Sequence, residues 1–187
     1  MPRLFVAIDL PEPVKSPLSH MSGEIPGVKW VGAAETHLTL RFIGEVGPLT
    51  CSSIKSALSG VSFVPFSLSL SGVGHFPPHG HPRVLWVGLE QRPELILLQQ
   101  QIEATLLQAG IPAEGRPFSP HITLARLKET PAAVVARFEA AHRGLTFPPF
   151  EVNEFILYSS VLTPRGAIHN KEAVYRATEL SPLPAAS

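Results

Sequence analysis

The strongest constraint in this 187-residue chain is that it matches itself. Slide the sequence so that position 37 meets position 121. His37-Leu38-Thr39-Leu40 then falls on His121-Ile122-Thr123-Leu124, and Glu45 falls on Glu129. At the same offset the stretch from Gly60 through Phe63 and Pro65 to Phe66 falls on Gly144, Phe147, Pro149 and Phe150. Slightly smaller offsets bring Arg3-Leu4-Phe5 onto Arg83-Val84-Leu85 and Gly27-Val28 onto Gly110-Ile111. Chance explains one short match. A second block at the same offset, with no gap between, is what a duplication leaves. The expectation is two related lobes, each about half the chain, with a cleft between them.

The local patterns agree with a repeated unit. Apolar or alternating runs at 3–10, 27–32, 36–43, 66–74 and 83–90 read as strands. So do 118–127, 150–160 and 168–179. Helices are expected at 12–24, 48–59, 92–109 and 131–142. The best of them keeps Leu95, Leu98, Ile102 and Leu106 on one stripe, and Gly110 stops it. Each half then reads strand, helix, short strand, His-x-Thr strand, helix, strand. Residues 1–180 are expected to form a single bilobal domain and 181–187 a disordered tail.

The repeat also carries the chemistry. Residues i and i+2 of a strand share a face. His37 and Thr39 are therefore neighbours, with Leu38 and Leu40 turned into the core, and His121 and Thr123 repeat the arrangement. A pseudo-symmetric packing of the halves would gather two imidazoles and two hydroxyls around one point. Imidazole titrates near pH 6.5, so one ring serves as general base and the other as general acid. The threonine hydroxyls are neutral donors suited to an anionic oxygen. In-line cleavage of a phosphodiester uses this set: a base on the entering oxygen, an acid on the leaving oxygen, and donors on the non-bridging oxygens.

Composition limits the partners. Lys+Arg and Asp+Glu both number 15, so the formal net charge is zero. Binding a length of nucleic acid through bulk charge would normally need a basic protein. Any nucleic acid must be held locally, by a few placed residues. The single cysteine, Cys51, can form no intramolecular disulfide and reads as a helix residue. No apolar run approaches a membrane span, and the expectation is a soluble cytoplasmic monomer. There is no GxSxG elbow, P-loop or dinucleotide glycine fingerprint. His75, His79 and His81 offer metal-ligand spacing, but in a stretch, HFPPHGHP, too rich in proline for a helix. They read as exposed loop histidines, and no metal or cofactor is expected.

With these residues in hand, the sequence resembles the two-histidine phosphoesterases, and within them the RNA 2′,3′-cyclic phosphodiesterases also called 2′-5′ RNA ligases. The resemblance rests on HLTLRFIGEV at 37–46 and RPFSPHITLAR at 116–126. RLFVAIDLP at 3–11 and VGHFPPHGHPRVLWVGL at 73–89 extend it over nearly the whole chain. It implies an α+β, pseudo-two-fold bilobal fold, with antiparallel sheets lining a central cleft and helices outside. It implies that His37 and His121 are the catalytic pair and that Thr39 and Thr123 hold the phosphate. Arg126 would contact the phosphate, and Phe42 would stack on a nucleobase unless it is a core residue. Arg41, Lys29, Arg83 and Lys128 are rim candidates, each more simply read as a solvated charge. The implied partner is an RNA terminus or nucleotide bearing a 2′,3′-cyclic phosphate, hydrolysed to a 2′-phosphate or ligated in reverse. Alternatives are another cyclic phosphate or 2′-5′ oligonucleotide as substrate, or a module that binds RNA ends without turnover.

Overall fold

The computed structural model describes residues 1–179, so the expected tail at 181–187 lies outside the described residues. Within them, ten strands and four α-helices alternate: β1 (Arg3–Asp9), α1 (Glu12–His20), β2 (Lys29–Trp30), β3 (His37–Glu45), α2 (Pro48–Leu58), β4 (Phe66–Leu68), β5 (Leu70–Phe76), β6 (Val84–Leu89), α3 (Pro93–Gln108), β7 (Ile122–Arg126), α4 (Ala132–Ala141), β8 (Phe150–Val152), β9 (Glu154–Thr163) and β10 (Gly166–Arg176). A short 3-10 turn, Ala33–Glu35, precedes β3. The fold is α+β and its sheets are antiparallel.

One four-stranded sheet has the order β10-β9-β1-β3 and the other β2-β7-β6-β5. Neither comes from one half of the chain. β9 and β10 from the second half complete the sheet of β1 and β3, while β2 and β5 from the first half complete the sheet of β6 and β7. The halves are bound by exchanged strands, a closer union than two lobes laid side by side. Two segments expected as single strands are each broken in two, at Ser69 and Asn153. Each break lets the chain leave one sheet and enter another.

The pieces thus released, β4 and β8, pair with each other as a separate ribbon. Phe66 lies opposite Val152, Ser67 opposite Glu151 and Leu68 opposite Phe150. Ser67 and Glu151 are themselves counterparts in the repeat, at the same offset as His37 and His121. An antiparallel pair in which a residue meets its own repeat lies on a two-fold axis. The ribbon therefore marks the pseudo-dyad that relates the halves.

Beneath the sheets one continuous apolar core joins Val6, Leu38, Val87 and Ile122 to the buried stripe of α3, namely Leu95, Leu98, Ile102 and Leu106. A second, small cluster lies on the opposite face of the first sheet: Phe5, Ala7, Ile156 and Tyr158. β1 is buried on both faces for this reason, which explains its unbroken apolar sequence.

The repeat is incomplete at two points: β10 has no counterpart beside β5, and β2 has none beside β3. The counterpart of β2 would start near Gly110, but residues 110–121 form no strand. Pro112 has no N–H to offer a ladder. Its carbonyl instead accepts a hydrogen bond from Arg41, and the Glu114 N–H donates to Glu103. Side chains thus take the backbone groups that a strand would use.

Candidate active site

Both His-x-Thr strands carry the same defect in pairing. In β3, Thr39 lies opposite Ala7 and Arg41 opposite Val6, leaving Leu40 without a partner. In β7, Thr123 lies opposite Trp86 and Ala125 opposite Leu85, leaving Leu124 without one. Leu40 and Leu124 are repeat counterparts. A bulge inserts one residue and reverses the facing of everything after it. Two consecutive residues are therefore buried in each strand: Leu40 and Arg41, then Leu124 and Ala125. The next residue emerges on the histidine face. Without the bulge, positions 37, 39 and 41 would share that face. With it, the sets are His37, Thr39, Phe42 and His121, Thr123, Arg126. β3 and β7 contact one another, so the two sets stand on neighbouring strands.

Phe42 is 58% exposed, so it is not a core residue. Its ring centroid lies 5.9 Å from that of Phe5. Arg126, Lys29, Arg83 and Lys128 are also exposed. Arg41 is not a rim contact. It is 7% exposed, ion-paired to Glu103 at 2.5 Å and to Glu114 at 3.7 Å, and it donates to the carbonyl of Phe42. The bulge is the physical cause, because it turns position 41 inward.

The surroundings of the two histidines differ. His37 stacks on Phe5, with centroids 4.9 Å apart and planes inclined by 26°. Tyr158 lies 6.0 Å away on nearly the same tilt, and His169 approaches edge-on at 5.3 Å. Burial, and next the neighbouring His169, push the His37 pKa down to about 4. Asp9, directly opposite on β1, acts in the other sense. Its charge is shared with Lys15 at 3.0 Å and Lys171 at 3.4 Å. Burial raises the Asp9 pKa, but these two lysines outweigh it and hold the carboxyl below its ordinary value. Burial, and then Asp9, push the Tyr158 hydroxyl up, so it stays protonated. Burial also lowers the His169 pKa.

His121 precedes the first residue of β7. Its ring meets the edge of Phe76 at 4.9 Å and 82°, and Phe76 leans on Trp86 at 5.3 Å. Its Nδ1 lies 2.7 Å from the carbonyl oxygen of Ser119. A carbonyl only accepts, so Nδ1 carries the hydrogen and donates it. In the neutral form of the ring Nε2 is then the nitrogen with the lone pair.

Phe5, Tyr158 and His169 were invisible as site residues in the sequence. Phe5 reads there as plain core, and Tyr158 and His169 reach His37 only through the exchanged strands β9 and β10. The cue available was the unbroken apolar run of β1, which demanded cover on both faces. His75 is not an exposed loop residue: it lies half-buried on β5 and contacts Glu139 on α4 at 2.5 Å, whereas His81 is exposed and contacts the carbonyl of Lys128 at 2.6 Å. Among the described residues no group of three ligating side chains converges on a metal position. Cys51 lies half-buried on α2. No helix of the described chain is long and apolar enough to cross a membrane.

Comparison with known proteins gives a consistent picture. The family model described as the 2′-5′ RNA ligase superfamily matches residues 10–163. An RNA 2′,3′-cyclic phosphodiesterase of Archaeoglobus fulgidus is 36% identical over 176 residues, covering 92% of this chain and 99% of the relative. One of Thermotoga maritima is 36% identical over 175 residues, covering 89% and 91%. Among solved structures, E. coli LigT complexed with 3′-AMP superposes with a TM-score of 0.78 at 26% identity, covering 96% of this chain and 100% of that one. TT0787 of Thermus thermophilus superposes with a TM-score of 0.74 at 30% identity, covering 93% and 97%.

Proposed function

The chain belongs to the 2′-5′ RNA ligase superfamily, and from that premise we propose that it hydrolyses 2′,3′-cyclic phosphate ends of RNA to 2′-phosphates. The observation that carries the reading is the duplicated bulge, which presents His37-Thr39-Phe42 and His121-Thr123-Arg126 on strands in contact. Residues 1–180 act as one catalytic unit, a monomer in the cytoplasm, with no metal or cofactor in the chemistry.

Water attacks phosphorus opposite the 3′ oxygen. The lone pair on His121 Nε2 takes the water proton. The P–O3′ bond breaks and His37 delivers a proton to the departing O3′, leaving the phosphate on O2′. Thr39, Thr123 and Arg126 donate to the non-bridging oxygens as charge builds there. Phe42 stacks on the terminal base. His37 is neutral in the free protein at pH 7. Its service as acid therefore depends on the substrate, whose phosphate charge draws a proton onto the ring. In the ligating direction, with a 5′-hydroxyl end as the second substrate, the roles of the two histidines exchange.

His37→Ala and His121→Ala are each expected to lower kcat by about 10²–10⁴-fold. The assay is hydrolysis of an oligoribonucleotide with a 2′,3′-cyclic phosphate end in the presence of EDTA. Full activity in either variant, or activity abolished by EDTA, would overturn the mechanism. A 3′-phosphate product would overturn the assigned leaving group. A panel including sugar 1,2-cyclic phosphates and 2′-5′ oligonucleotides tests the substrate class.

A further inference from the structure

The two-residue strand β2 places Lys29 directly opposite Arg126 of β7. Cross-strand partners share a face, so Lys29 stands on the face of His121, Thr123 and Arg126. Both side chains are exposed. Neither forms an ion pair with a carboxylate among the described residues, unlike Arg41 or Lys15. Like charges directly opposite each other are unfavourable in a sheet. The arrangement becomes favourable when an anion bridges it.

The strand that carries Lys29 is well anchored. Trp30 packs against Phe138 at 6.0 Å, and its indole N–H donates to the carbonyl of Ile25 at 3.4 Å. The backbone N–H of Val31 donates to the carbonyl of Leu124 at 2.8 Å. Lys29 is thus held on the strand beside the bulge that aims Arg126. On its other side Arg126 faces the neutral Val84. The positive charge therefore extends from the His121 set in one direction, across β7 onto β2.

We propose that Lys29, with Arg126, forms a second phosphate subsite that receives the internucleotide phosphate on the 5′ side of the terminal nucleotide. This rests on the functional reading above and sharpens its substrate class: an RNA chain end, preferred over a cyclic or linear mononucleotide. The chain would leave the reacting phosphate past Arg126 toward β2. One such contact also suits a protein of zero net charge, which grips an end through few groups.

Direct binding tests this without relying on turnover. The probes are a short oligouridylate ending in a 2′-phosphate and uridine 2′-monophosphate, each titrated over a range of salt. The ratio of their affinities is the readout. Lys29→Gln is expected to lower the oligonucleotide's advantage about tenfold. It should also reduce the magnitude of the oligonucleotide's log Kd–log salt slope by about 0.7, one phosphate on a single strand. Lys29→Arg should restore both. Equal weakening of both probes would overturn the proposal by placing Lys29 at the reacting phosphate, and an unchanged ratio would overturn it outright. A lowered ratio in Lys29→Gln, found alongside a wild-type protein that hydrolyses no cyclic phosphate, would keep the subsite and count against the functional reading instead.

Discussion

The two His-x-Thr strands share a scaffold and differ in how their histidines are enclosed. Each has its bulge at the same leucine, and each turns the fifth residue after the histidine back onto the working face. Yet His37 sits in an aromatic enclosure of Phe5 and Tyr158, with His169 at its edge, whereas His121 is tethered by a carbonyl ahead of its strand. Duplication supplied the symmetric part. The asymmetric part separates the two rings, which in identical surroundings would favour the same protonation state, and it holds His37 neutral until substrate binds.

The largest expected contrast lies one residue past the bulge. Arg41 and Ala125 are repeat counterparts, both buried, but only Arg41 brings a charge. Arg41→Ala makes the first strand resemble the second while leaving Glu103 without its ion-pair partner and Glu114 with Arg116 alone. Removing one member of a fully buried pair typically costs about 3–5 kcal/mol; with carboxylates that are partly exposed the cost falls to about 2–3 kcal/mol. Arg126→Ala, on the exposed face, should change stability by less than about 0.5 kcal/mol. Urea unfolding of the two variants checks the difference. Equal effects would mean that the bulge does not divide the strand into a buried and a working side.

The next contrast is the dependence of stability on pH. His37 binds its proton with a pKa of about 4 when folded and near 6.5 when unfolded. Between these values the unfolded chain binds more protons, so stability falls as pH drops from about 6.5 to about 4 and is fully present above 6.5. The shift corresponds to a contribution on the order of 3 kcal/mol. His37→Gln should flatten that part of the stability–pH curve. His169→Gln should raise the His37 pKa by removing the second ring, which NMR titration of His37 would show. An unaltered curve in His37→Gln would remove the enclosure as the source of the asymmetry.

The sequence disclosed the symmetric features and little of the asymmetric ones. The self-match of position 37 with position 121 pointed to the histidine pair, the threonines and the equivalence of Phe42 with Arg126 before any coordinates. The stripe Leu95, Leu98, Ile102, Leu106 located α3 because one helical face carries its whole burial. Strand exchange was hidden, since β5 and β9 look alike whichever sheet they join. The bulges were hidden too. From His37 to Phe42 polar and apolar residues alternate without a break, so Arg41 reads as exposed and nothing marks the bulge. Of the carboxylate partners of Arg41, Glu103 stands beyond three strands and a helix in chain order, and Glu114 beyond a second helix as well. Non-local pairing decided these features, and local pattern carries no record of it.

The smallest expected effect separates Phe42 from Arg126, which hold equivalent positions with opposite chemistry. A base stacked on an aromatic ring is worth about 1–3 kcal/mol and carries no charge. Phe42→Ala should therefore lower kcat/KM on cyclic phosphate ends about 5–150-fold, by nearly the same factor at every salt concentration. In its proposed role Arg126 makes a charged contact to phosphate, so the penalty of Arg126→Ala should shrink as salt rises and the wild-type contact weakens. Phe42→Trp keeps the flat surface and should retain activity where Phe42→Leu, apolar but not aromatic, does not. A salt-dependent loss at position 42, or full rescue by leucine, would show that the ring acts by covering Phe5 beneath it, 5.9 Å away, and that the nucleobase lies elsewhere.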